Sequence, residues 1–343
     1  MGHHPQFLPT RHGFDVFYGI PYSNDMWPNH PTSPDAWADL PTIDGDKAIG
    51  YNTDQSRFTA DFTQRTLDFI EENTSRSTPF FVYLAHPMPH VPLSISPDHS
   101  GKSQAGLYAD VIQEIDDSVG QVLAALKTAG AESNTLVLFA SDNGPWLSYG
   151  NHAGSAAPLR EGKGTVFDGG VRVPFIARWP GILPKGQTIS TPAMTIDLFP
   201  TLAELIVAEL PDHPIDGKSI WSLIKGDDSG PAQEAYYFYY GRGELHAMRS
   251  GRWKLHFPHP YRTMIGSEPG KDGMPGKYDS SVKTGLELYD LENDIEERHD
   301  VSNQHPEVMQ RLLKLAADKR TELGDRLTGI EGTGLREPGR LIE

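Results

Sequence analysis

Short, wholly apolar runs recur along this chain with amphipathic helical patterns between them, and that alternation leaves few architectures open. "FFVYLAH", Phe80 to His86, "NTLVLFASD" and "VPFIARW", which begins at Val173, are each too short for a helix. They carry no polar alternation and so predict strands buried on both faces. Between and around them, "RFTADFTQRTLDFIEEN" (Arg57 to Asn73) sets Phe58, Phe62, Leu67 and Ile70 near one helical face. "GLYADVIQEIDDSVGQVLAALKTAG" is a longer amphipathic helix closed by Gly130, and "TIDLFPTLAELI" supplies another. Helix alternating with buried strand predicts an α/β layered domain with a mainly parallel sheet. In such sheets ligands gather beyond the carboxyl ends of the strands.

After about Ala232 the texture changes. "AYYFYY", "LHAMRSG", "WKLHF" and "LELYDL" are short aromatic or alternating runs separated by Gly- and Pro-rich turns, and a helical pattern follows from about Pro306 to Leu323. These predict a small antiparallel sheet with a terminal helix packed on it. The expected division is 1–231 for the α/β domain, 232–328 for the small α+β subdomain and 329–343 for a mobile tail. Residues 1–56 are rich in Pro, Asn, Asp and aromatics without periodicity, and predict ordered irregular structure.

Lys and Arg number 30 against 46 Asp and Glu, a formal charge of −16. Such a balance argues against a nucleic-acid partner and against an anionic membrane surface. It also means that an anionic substrate must be held by a metal or a few local cations that overturn the global field. With no cysteine in the 343 residues, disulfides, thiolate metal sites and a cysteine nucleophile are excluded within them. No apolar run reaches membrane-span length. Nothing in the residues sets an oligomeric state.

Two stretches fall where a site belongs, at the ends of predicted buried strands. "FFVYLAHPMPHVPL" presents His86 and His90 in a Pro-rich loop, where imidazole can ligate a metal, donate to an anionic oxygen or protonate a leaving group. The alternative is a pair of loop histidines bonded to backbone carbonyls. "LVLFASDNGPW" places Asp142 and Asn143 after an apolar strand as a hard-oxygen pair suited to Ca²⁺ or Mg²⁺. The alternative there is a plain "SDNG" turn. Lys163 in "EGKGT" sits between glycines, so an oxyanion can approach its ammonium closely, although an exposed loop lysine would look the same. His152 in "GNHAG" can add a donor. Ser23 in "GIPYSND" offers a hydroxyl without the Gly-x-Ser-x-Gly turn of a nucleophile.

The order "GIPYSND", "HxMPHxP", "SDNGPW", "GKGTxxxGGVRVPxIxRWPG" and "LYDLENDIEERHDV" resembles the sulfatase family, in the arylsulfatase branch of the alkaline-phosphatase-like superfamily, over nearly the whole chain. The resemblance implies an alkaline-phosphatase-like fold and hydrolysis of sulfate monoesters with a divalent cation, Ca²⁺ before Mg²⁺, and a formylglycine nucleophile. It implies that Asp142 and Asn143 ligate the metal, that Lys163 contacts the sulfate and the leaving-group side, and that His90 donates to the sulfate or leaving oxygen. Ser23 would line the pocket, and His86 and His152 would be its neighbours. Those roles suit sulfate transfer, which needs cations around developing oxyanion charge and a donor for the departing oxygen.

The family pattern also carries, in its first part, an Asp pair, a Cys- or Ser-x-Pro-x-Arg nucleophile motif and a Gly-Lys-Trp-His-Leu-Gly segment, none of which occurs here. "MGHHPQFLP" would join directly onto that last segment, with Met1 where the family has Leu, so the chain is expected to begin mid-domain. Two metal ligands against the about six to eight oxygens of Ca²⁺, and no formylglycine precursor, lead to the expectation of a chain without turnover whose full-length parent is a periplasmic or secreted sulfatase. Its substrate would be a small-molecule or glycan sulfate ester. The loops "PYSNDMWPNHPTSPDAW" and "YRTMIGSEPGKDGMPGKYDSS" would decide which. Two other functions fit less of the pattern: a phosphomonoesterase or phosphodiesterase of the same superfamily, and a non-catalytic protein that binds sulfated glycans.

Overall fold

Secondary structure begins where the sequence shows no periodicity. The protein is described from a computed structural model over residues 4–227 and 230–341. Met1, the residue at the expected upstream junction, lies outside the described residues. Strands β1 (Tyr18–Gly19), β2 (Pro41–Asp44) and β3 (Lys47–Tyr51) form a three-stranded antiparallel sheet in the segment expected to be irregular. They are short and bulged between Thr42 and Ile43, which is why no alternation betrays them.

Helices α1 (Phe58–Ser75) and α2 (Leu107–Thr128) follow the predicted apolar faces. They pack on each other with Phe58, Phe62, Val111 and Ile115 buried, and Thr63 Oγ1 meets Ser118 Oγ at 2.5 Å between them. The run Phe80–His86 is extended but joins no ladder among the described residues, with Phe81 and Tyr83 turned out to solvent. An apolar run becomes a strand only when a neighbour accepts its backbone bonds.

Strands β4 (Val137–Ala140) and β5 (Phe175–Arg178) pair antiparallel, Val137 opposite Arg178 and Ala140 opposite Phe175. This corrects the expectation of a mainly parallel sheet for the strand pairs present. The chain leaves β4 at Ala140 and re-enters β5 at Phe175, at the same end of the ladder, and that return dictates the antiparallel sense. The excursion 141–174 includes the short helix α3 (Asp168–Val171). Beyond β5, α4 (Leu198–Ile206) and α5 (Trp221–Ile224) pack together around Ile220, Leu223 and Ile224.

The C-terminal region follows its sequence pattern. Strands β6 (Tyr236–Tyr240), β7 (Glu244–Ser250) and β8 (Trp253–His256) and, after the short pair β9 (His259–Pro260) and β10 (Lys283–Thr284), β11 (Glu287–Asp290) build a four-stranded antiparallel sheet in the order β11-β8-β7-β6. Helix α6 (Pro306–Leu323) covers one face, where Leu312 and Ala316 meet Leu245, Met248, Leu255 and Leu288. The expected mobile tail is tied down over its described part. Thr333 N and Gly334 N donate to the Thr321 and Glu322 carbonyls at the end of α6, and Gln6 donates to the Arg340 carbonyl. Helix-end carbonyls lack partners of their own, and the tail supplies two.

Candidate active site

The excursion 141–174 starts and ends at one edge of the β4–β5 ladder, so everything it carries is delivered to one place. Its first turn is held internally: Asp142 Oδ1 accepts from Asn143 N at 2.8 Å, Asn143 Nδ2 donates to the Gly144 carbonyl at 3.1 Å, and Ser141 Oγ donates to the Asn143 carbonyl at 3.0 Å. Gly144 N donates to the Gly170 carbonyl at 3.0 Å, and a Cβ on Gly144 would lie 1.8 Å from the Gly169 carbonyl oxygen. Only glycine permits that turn to sit on the start of α3. Asp142 remains exposed.

Lys163 returns beside this turn, its backbone N donating to the Pro145 carbonyl at 2.9 Å and its Nζ lying 4.8 Å from the centre of the Trp146 ring. The His90 ring approaches the same tryptophan at 5.7 Å. His90 Nδ1 is 2.7 Å from the Val91 carbonyl, so Nδ1 carries the proton and donates, which leaves Nε2 for a ligand. Asp25 completes the cluster. The turn that bears it is pinned by buried Asn24, whose side chain donates to Gln55 Oε1 and to the Pro92 carbonyl two residues beyond His90, and Asp25 Oδ1 is buried with no hydrogen-bond partner.

The electrostatics agree with this geometry. Burial lowers the His90 pKa and the nearby Lys163 ammonium adds to the effect, opposed by Asp25 and Asp142. Burial likewise lowers Lys163, with Asp142 and Asp25 opposing and Arg262 reinforcing the shift. A half-buried ammonium and a half-buried imidazole that repel one another form a site that gains stability when an anion arrives.

The C-terminal subdomain straps the lysine loop from the other side. Arg262 Nη2 donates to the Lys163 carbonyl at 2.8 Å, and Thr263 Oγ1 donates to Glu161 Oε1 at 2.7 Å. Arg160 donates to the Glu297 carbonyl at 2.7 Å and to Tyr261 Oη at 3.1 Å. Beneath it Lys254, fully buried, pairs with Asp168 at 2.7 Å and Glu297 at 3.0 Å, while Glu297 also accepts from the backbone N of Asp168 at 2.6 Å. The start of α3, and with it the loop, is fixed by charges from the other subdomain.

Among the residues expected at a site, the structure brings together His90, Asp142, Asn143 and Lys163. Ser23 begins the Asp25 turn, its carbonyl accepting from Met26 N at 3.1 Å. His152 faces the 269–276 loop instead: a Cβ on Gly273 would lie 3.6 Å from its Nδ1, which is buried and unpartnered, and burial lowers its pKa against the opposing charge of Asp272. His86 lies 3.2 Å from Ser118 Oγ through Nε2, its pKa pushed down to about 4 by burial, and it ties the extended segment to α2. Three residues escaped the sequence reading: Asp25, Trp146 and Arg262. All three stand in stretches singled out for other reasons, "GIPYSND", "SDNGPW" and "YRTMIG".

Asp142 and Asn143 have the oxygen chemistry for a hard divalent cation but not the number. Among the described residues no group of three or more His, Cys, Asp or Glu side chains is placed to hold a metal ion. Two donors on one turn do not make a Ca²⁺ shell, and no reaction step is assigned to a metal here.

A lysine, a histidine and a hard-oxygen pair thus stand together on loops at the end of the β4–β5 ladder in a layered α/β fold. The sulfatase family model matches residues 3–207, and the model for the C-terminal region of aryl-sulfatase matches residues 232–328. The chain belongs to the sulfatase family. It is 37% identical over 293 residues to an N-acetylgalactosamine-6-sulfatase of Mus musculus, covering 83% of this chain and 55% of the relative. To arylsulfatase A of Homo sapiens it is 32% identical over 337 residues, covering 92% and 66%. The chain thus spans between about half and two thirds of the length of these curated relatives. In fold it is similar to a sulfatase from Pseudoalteromonas sp., with a TM-score of 0.77, 24% identity and coverage of 91% of this chain and 66% of that one. The alkaline-phosphatase-like fold follows from such neighbours. No helix among the described residues is long and apolar enough to cross a membrane.

Proposed function

We propose that this site binds the sulfate group of a sulfate monoester and forms the oxyanion-binding part of a sulfuric ester hydrolase. The observation that carries the reading is the convergence of Lys163 and His90 on the Trp146 ring, both partly desolvated and neither bonded to a carboxylate. Lys163 contacts the sulfate on the leaving-group side. His90 reaches the sulfate or the leaving oxygen through Nε2, and its protonated form is favoured once an anion is bound. Ser23 lines the pocket, with His152 further out as a substrate contact. Asp142 and Asn143 are assigned as two oxygen donors for Ca²⁺, in preference to Mg²⁺, in a shell these residues do not complete.

The relatives named as N-acetylgalactosamine-6-sulfatases support a sulfated sugar as substrate, and export from the cytosol is the corresponding expectation. The chain holds no cysteine, and no serine in a Ser-x-Pro-x-Arg pattern, so the polypeptide as written binds without turnover. Calorimetry with N-acetylgalactosamine 6-sulfate and an aryl sulfate assay test this together. We expect measurable binding, a loss of at least about tenfold in Lys163→Ala and in His90→Ala, and no hydrolysis. Binding indifferent to both substitutions would overturn the assignment of the site. Hydrolysis abolished by Lys163→Ala would overturn the assignment of inactivity.

A further inference from the structure

Arg262 has more capacity than its bonds use. Its guanidinium lies 4.5 Å from the centre of the Tyr278 ring and 5.9 Å from that of Trp146, the ring that also carries Lys163 and His90. Nη2 is bonded to the Lys163 carbonyl, while Nε is buried and bonded to nothing. A guanidinium offers several further donors in a rigid planar fork. In a chain with 46 acidic residues to 30 basic ones, arginines elsewhere find carboxylates: Arg252 with Asp290, Arg320 with Asp325, Arg178 with Glu132. Among the described residues Arg262 pairs with none, although it sits beside a second cation that it repels. Two adjacent cations, one of them half-buried and only partly offset by the nearby charges of Asp142 and Asp25, are a less favourable arrangement for the free protein than for a protein holding an anionic ligand.

The backbone is shaped to bring the two together. Gly164 has φ +90, a conformation that favours glycine, and the absence of a Cβ leaves the space that the guanidinium occupies, its Nη2 lying 2.3 Å from where that Cβ would be. Arg262 also lines an open cleft of about 250 Å³ adjoining the lysine loop, whose walls include Tyr240, His246, Tyr261 and Ser280. Aromatic rings beside a cation suit the faces and charges of a sugar.

We propose that Arg262 and this cleft form a subsite for the leaving-group side of the substrate, in which Arg262 binds a second anionic group of a sugar whose first sulfate lies on Lys163 and His90. Arg262 is then a specificity-determining residue that selects doubly anionic sugars. The second group is a sulfate or a carboxylate, since a guanidinium fork takes either. The inference rests on the sulfate reading of the site.

The test compares, at one ionic strength, calorimetric affinities for N-acetylgalactosamine 6-sulfate, N-acetylgalactosamine 4,6-disulfate and a monosulfated glucuronate. We expect the native chain to prefer at least one doubly anionic ligand by tenfold or more, and Arg262→Gln to reduce that preference to threefold or less. Arg262→Lys should keep an intermediate preference. The ligand that is preferred identifies the second group. Equal affinity of the native chain for all three overturns the proposal without any variant, and so does an Arg262→Gln loss that is the same for all three, which would mean that Arg262 only supports the loop. Lys163→Met separates the two readings. If it leaves the singly charged sugar unaffected while Arg262→Gln still removes the preference, the sulfate site has been misplaced and the Arg262 anion subsite stands.

Discussion

The C-terminal sheet and the β4–β5 layer are built from similar apolar residues and end in opposite states. In the first, Leu245, Met248, Leu255, Leu288 and Leu312 are fully buried between the sheet and α6. In the second, Phe139, Phe175 and Ile176 face solvent, as do Phe81 and Tyr83 of the extended run and Ile206 and Val207 at the end of α4. Local sequence prepared both for burial. Only one receives covering partners within the described residues, so apolar content shows what a segment can bury and tertiary pairing decides whether it does. The 141–174 loop belongs to the second region by sequence but is anchored to the first, through Arg160, Glu161 and Asp168.

The sharpest way to break the contrast is to attack that anchor. Lys254→Met removes the buried cation shared by Asp168 and Glu297 and leaves Asp168 with only the longer contacts to Arg172 and Arg249 at 3.7 Å and Glu297 with His256, and removing one partner of a buried ionic set costs about 3–5 kcal/mol. Denaturant unfolding should show a loss of that size. Stability within about 1 kcal/mol of the native chain would mean that the network does not hold the loop. Next in size is Leu255→Ala in the filled core, which should cost about 2–5 kcal/mol as a cavity forms between β8 and α6.

Acid should act on the same region in two stages. Burial and the neighbouring His246 push the His259 pKa down to about 4 from 6.5. Its folded pKa lies below its unfolded one, so the associated stability is full above about pH 6.5 and is lost as pH falls toward 4, with a slope of at most about 1.4 kcal/mol per pH unit. Burial alone would raise Glu297, but Lys254 and His256 outweigh it and hold the carboxyl at about 2. Its share of stability is present above about 4.5 and fades as pH falls toward 2. A His259→Gln chain should lose the His259 share of the first stage, keep the share of His86, whose pKa burial also pushes down to about 4, and keep the second stage, as read from denaturant midpoints between pH 7 and 3.

How much of this was legible in the sequence follows from the same distinction. Helices α1, α2 and α6 could be read because periodicity is a local property, and α6 even begins at its helix-starting Pro306. "FFVYLAH" could be read as apolar but not as unpaired, because pairing depends on another segment. Asp142, Asn143, Lys163 and His90 announced themselves through residue type and strand-end position. Arg262 did not, because its meaning lies in a contact with Lys163 across 99 positions of chain, and no window of sequence contains both. Asp25 was hidden differently: in "YSND" it looks like an ordinary turn residue, and only its burial without a partner distinguishes it.

The smallest expected effect tests the exposed side of the comparison. Ile176 lies at the middle of β5, opposite Phe139, and is 60% exposed. Ile176→Thr removes apolar surface that is already in water and keeps the β-branching that suits a strand, so unfolding stability should change by no more than about 0.5 kcal/mol. Binding of an apolar dye to the folded chain should nevertheless fall, since Ile176 and its cross-strand partner Phe139 present apolar surface side by side on one face of the ladder. A destabilisation of 2 kcal/mol or more would show that Ile176 is covered in solution. The β4–β5 layer would then resemble the C-terminal core, and the contrast between the two regions would not hold.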